Sequence, residues 1–102
     1  MRYVWLDLYA SLNCSNDLFI RKKDGQYYTE GHHLIPLRYQ EEFNYSLDVE
    51  ANIVSLCPTC HRLLHYGKDC ESKLCELLEK RRERLEKCNI FVSQERLIEM
   101  YK

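Results

Sequence analysis

The chain has 102 residues, 45% of them hydrophobic, a size that fits one compact domain with a modest core. Its 15 basic and 16 acidic residues leave a net charge of −1, so it lacks the overall basic excess with which a stand-alone nucleic-acid binder neutralises phosphates. No apolar run approaches the ~20 residues of a membrane-spanning helix. The first residues, "MRYVWLDLYASLN", carry Asp7 inside their apolar part and no small-residue cleavage site. They do not read as a signal peptide, and the expectation is an intracellular, cytoplasmic chain with no membrane partner.

In chain order, residues 2–13 mix aromatic and apolar side chains at near-helical spacing, and Asn13 can close that helix. "DLFIRKKDGQYYTEGHH" predicts two strands joined through Asp24-Gly25, a strong hairpin signal. "LIPLRYQEEFNYSLDVE" reads as a loop with a helical turn around residues 39–44, and "ANIVSL" as a short apolar strand at Asn52. "CPTCHRLLHYG" opens on a cysteine knuckle; Pro58 suits a first helical turn and Gly67 a helix end. Leu74, Leu77, Leu78, Leu85 and Cys88 recur at three- and four-residue steps, predicting a helix over 70–88 with charge on its other face. A last helix, 93–101, begins at Ser93 with Gln94 and Glu95 in its first turn. Trp5, Tyr9, Tyr27 and Tyr28 read as core or half-buried surface. The expectation is α+β, one domain over 1–102.

The six cysteines, at 14, 57, 60, 70, 75 and 88, have no oxidising compartment implied for them. Cys57-x-x-Cys60 therefore points to metal or redox chemistry rather than to disulfides. It has the spacing of half a structural zinc site. A redox reading needs a thioredoxin-like arrangement that this chain is too irregular to supply. Cys88 follows the apolar face of its helix and reads as a packed thiol.

The histidines raise a sharper question. His61 and His65 stand four apart on an expected helix, so their rings share one face and can chelate one cation. Taken alone, that pair is equally well read as two solvated polar residues. His32 and His33 are adjacent on an expected strand and must point to opposite faces, so one core cannot use both alike.

The order "HHLIPL", "NIVSL", "CPTCHRLLH" resembles the HNH endonucleases, also called His-Me finger or ββα-metal nucleases, over about residues 14–67. The resemblance implies a small ββα-metal core, hairpin plus helix, flanked here by additional helices. It implies a metal-dependent endonuclease acting on double-stranded DNA, with His33 as general base and Asn52 holding the loop and orienting that base. It implies His32 and His61 as metal ligands, with His65 as a further ligand in some members. The chain departs from the family pattern upstream, where "CSND" offers Cys14 and then Asp17 in place of a second cysteine. The structural zinc is thus open between Cys14, Cys57 and Cys60 completed by Asp17, the same cysteines completed by Cys70, and no zinc.

The chemistry is consistent with this. A neutral imidazole, titrating near about 6.5, can take a proton from water at physiological pH, and a cation can stabilise charge on the phosphate and its leaving 3′ oxygen. Opposed faces then become useful, because one ring can grip metal while its neighbour stays basic; Gly31 would permit the bend bringing both to one phosphate. Three imidazoles favour Zn²⁺, Ni²⁺, Co²⁺ or Mn²⁺ over Mg²⁺, which prefers oxygen, though supply could still select Mg²⁺. Arg62, Arg38 and Lys68 are candidate phosphate contacts, each weighed against an ordinary solvated charge. Near-neutral charge suggests a catalytic module of a restriction-type enzyme, working as a homodimer or within a larger chain that carries a recognition domain. The competing readings are a non-enzymatic zinc module that recruits nucleic acid or protein, a toxin-type nuclease, and an RNA-directed one.

Overall fold

The computed structural model describes residues 22, 23, 25 and 28–102. The helix expected over 2–13, the upstream strand of the Asp24-Gly25 hairpin, and the candidate zinc ligands Cys14 and Asp17 lie outside the described residues. Gly25 has φ +70°, a left-handed value that suits the turn expected there.

Strand β1, Glu30–His33, pairs antiparallel with β2, Ile53–Leu56. The register sets Glu30 against Leu56, Gly31 against Ser55, His32 against Val54 and His33 against Ile53. All four β2 residues are buried, as an apolar run without alternation requires. Gly31 neither bulges nor bends β1. It is paired in register, and a Cβ there would meet Ile53 Cγ2 at an ordinary 3.7 Å. The bend expected of it is not observed; His32 and His33 leave β1 on opposite faces, yet both border one cavity.

Residues 34–52 join the strands through two 3-10 segments, Leu37–Glu42 and Glu50–Asn52. The second takes the start of the strand expected from "ANIVSL": Asn52 N–H donates to Val49 O at 2.9 Å. Helix α1, Pro58–Tyr66, follows β2 directly and completes a strand–strand–helix unit of mixed α and β structure. Pro58 occupies its first turn, where no intrahelical donor is lost, and Cys57 caps it by accepting from Cys60 N–H at 3.3 Å. Gly67 ends α1 by close approach, since a Cβ there would lie 2.7 Å from Leu63 O.

Helix α2, Glu71–Lys87, buries Leu74, Leu77, Leu78 and Leu85, the stripe read from the sequence, together with Arg81. Its end is a Schellman motif: Asn89 has φ 60°, its N–H donates to Glu86 O, and Ile90 N–H donates to Leu85 O. Helix α3, Gln94–Met100, starts at Ser93, whose Oγ accepts from Arg96 N–H at 3.0 Å. It packs on α2 and sinks Leu97 and Met100 into a core shared with Leu34, Ile35, Leu47, Val54 and Leu56. Cys88 packs against that core. Every buried side-chain nitrogen and oxygen among the described residues has a partner.

Candidate active site

The strand's period of two places Glu30 and His32 on the face of β1 that looks at α1. The helical period places His61 and His65 on one side of α1. The three rings therefore meet across the unit. Ring centroids lie 5.2 Å apart for His32 and His61, 5.1 Å for His32 and His65, and 4.8 Å for His61 and His65. One ligand atom from each lies within 4.8 Å of the others, and His61 Nε2 stands 3.1 Å from His65 Nε2. The edge of a zinc tetrahedron with Zn–N near 2.05 Å is about 3.3 Å. The α1 pair is thus already at chelating distance, and a modest inward shift of His32 closes the set. The donor chemistry fits a divalent transition ion.

A second layer of groups orients these rings. Glu30 Oε1 lies 2.8 Å from His61 Nδ1, and Tyr28 donates to Glu30 Oε2 at 2.7 Å. Both contacts, that of His61 first, hold the Glu30 carboxyl below its usual range, against a smaller opposing effect of burial. A carboxylate on Nδ1 directs the His61 lone pair to Nε2, the nitrogen facing His65. Burial, then the neighbouring His61, His65 and His33, pushes His32 down to about 3. Burial, with His61 and Arg38, also lowers His65. Both effects favour the neutral ring that a metal requires.

His33 points the other way. It is half-buried, with Nε2 2.9 Å from Asp48 Oδ1. Asn52, wholly buried, uses its side chain as a staple: Oδ1 accepts from Ile35 N–H at 2.8 Å, and Nδ2 donates to Ile35 O at 3.0 Å and Leu47 O at 2.9 Å. Its main-chain oxygen accepts from Leu34 N–H at 2.9 Å. Asn52 thus grips the chain immediately after the histidine pair and touches neither ring through these bonds.

The histidines line an open cavity of about 390 Å³ with Gly31, Pro36, Leu37, Arg38, Leu64 and Tyr101. Of the candidate phosphate contacts, Arg38 reaches this cavity, while Arg62 and Lys68 are exposed and outside its lining. Arg38 is anchored by donating to Met100 O at 2.8 Å. Cys57 and Cys60 are buried at the start of α1. Among the described residues the three histidines form the cluster that could hold a metal ion, and Cys70 joins no such group.

Glu30, Asp48 and Tyr101 are absent from the expectations drawn from sequence. Glu30 was recoverable, because it sits two residues before His32 on the same strand face. Tyr28, expected as core or half-buried surface, is half-buried and supports Glu30. Asp48 and Tyr101 carry no local signal.

Two strands followed by a helix, with imidazoles from strand and helix converging between them, define a ββα-metal unit. The sequence model of the HNH endonuclease family matches residues 12–67, and the chain belongs to that family. It is also 40% identical over 75 residues to the type IV methyl-directed restriction enzyme EcoKMcrA of Escherichia coli K12. That match covers 74% of this chain and 25% of the relative, so the chain spans about a quarter of the enzyme it resembles. No solved structure matches the chain. Family membership marks a nuclease-type domain, and no helix among the described residues is long and apolar enough to cross a membrane.

Proposed function

We propose that residues 1–102 act as one nuclease module that hydrolyses phosphodiester bonds in double-stranded DNA, with His33 as the base that activates water. The observation that carries this reading is that His32, His61 and His65 converge while His33, outside that set, borders the same cavity. His32, His61 and His65 would hold a divalent cation, which when bound supplies positive charge at the phosphate and the departing 3′ oxygen. Mg²⁺, Mn²⁺, Ni²⁺ and Zn²⁺ are the candidates, with nitrogen donors favouring the last three.

His33 takes the proton from water. With Nε2–H donating to Asp48, the basic lone pair of the neutral ring is on Nδ1, and the carboxylate then stabilises the imidazolium that forms. Asn52 positions this base by fixing residues 34 and 35 behind it. Arg38, held at the cavity wall through Met100 O, is suited to a phosphate oxygen. A net charge of −1 suits a catalytic unit that gains affinity from a second copy or from a recognition domain in a larger protein. A structural zinc at Cys57 and Cys60, completed by Cys14 and Asp17, would brace the start of α1.

Supercoiled plasmid incubated with the chain and each cation in turn tests this. Nicking that needs a divalent ion and stops with chelator is the expected result. A chain that binds cation and DNA yet never nicks would favour the non-enzymatic module, and cleavage of RNA alone would change the substrate.

A further inference from the structure

Tyr101 lies beyond the segment matched by the family model and immediately after α3, yet its hydroxyl reaches a member of the histidine cluster. It is 2.7 Å from His32 Nε2 and 2.6 Å from Leu34 O, with His33 O farther at 3.5 Å. A phenol has one proton. At 2.6 Å the carbonyl oxygen and the phenol oxygen would repel unless that proton lies between them, so Tyr101 donates to Leu34 O. The 2.7 Å contact to His32 can then be a hydrogen bond only if Nε2 carries the proton and the phenol oxygen accepts it. A neutral imidazole protonated on Nε2 keeps its lone pair on Nδ1.

We propose that Tyr101 is a positioning residue of the metal centre, fixing His32 in the Nε2–H form so that Nδ1 is the nitrogen given to the cation. The inference rests on the cation reading above. It makes the C-terminal helix part of the site, for the same helix is moored to the loop after β1 at three points. These are Tyr101 on Leu34 O, Arg38 on Met100 O, and Arg96 on the Glu42 carboxylate. Outer contacts of this kind orient a ligating imidazole and raise its affinity for metal.

The test uses two readouts. In the metal-free chain labelled with ¹⁵N-histidine, NMR should find the His32 proton on Nε2, and in Tyr101→Phe a mixture of both tautomers. Cobalt titration followed by its visible absorption should show Tyr101→Phe binding about 10–100-fold more weakly than wild type, while Tyr45→Phe, at an exposed ring, is unchanged. A wild-type His32 protonated on Nδ1, or a folded Tyr101→Phe that binds cobalt within twofold of wild type, overturns the inference alone. Should Tyr101→Phe fail to fold, the wild-type tautomer decides. A wild-type chain that takes up no cobalt overturns the cation reading and this inference together.

Discussion

Asn52 shows how much one side chain can hold. Its amide satisfies one buried N–H and two carbonyls, so Asn52→Ala strands polar groups where water cannot reach them. The expected cost is about 2–4 kcal/mol in urea unfolding; a loss under about 0.5 kcal/mol would remove the staple. His32 adds a pH dependence. Its pKa falls from 6.5 in the unfolded chain to about 3 in the folded one, so between those values the unfolded state binds the extra proton. Stability contributed by the neutral ring is complete above pH 6.5 and is lost as pH falls towards 3, with a limiting slope of about 1.4 kcal/mol per pH unit. The metal-free chain should therefore unfold at lower urea at pH 5 than at pH 7, and His32→Gln should shrink that difference. Equal differences in both would contradict the assignment.

Among the elements, α3 joins folding to the site. Ser93 caps it through Arg96 N–H, and Ser93→Ala should cost about 1 kcal/mol while weakening cobalt binding through a frayed Tyr101. Asn89, left-handed at the end of α2, should lose about 1 kcal/mol as Ala and little as Gly, read from thermal midpoints. These helices were legible in the sequence, because caps and apolar stripes are local signals. Spacing alone put only His61 and His65 on one helix face; the grouping of His32 with them, and the separate role of His33, came from the family resemblance. The strand pairing was not fully legible. The sequence marks the Asp24-Gly25 turn, whereas the partner of β1 among the described residues is β2, across residues 34–52. Tyr101 could not be read at all, since it meets His32 from 69 residues away and only the docking of α3 on α2 brings it there. Asp48 likewise reaches His33 only once the loop is stapled.

For the whole molecule, a net charge of −1 means that affinity for DNA should be modest and strongly weakened by salt. A second copy or an attached recognition domain would raise it without altering the proposed hydrolysis. The number of ions per chain separates the two metal questions. Two zinc ions in wild type and one in Cys57→Ser are expected if the cysteines hold a structural ion, whereas one in both would leave the histidine cluster alone. The central division of labour, three rings for the cation and His33 for the proton, is tested most directly by His33→Ala, with plasmid nicking and bound metal measured on the same preparation. Nicking should vanish while metal content equals that of wild type. Retained nicking, or loss of the metal along with it, would contradict the account.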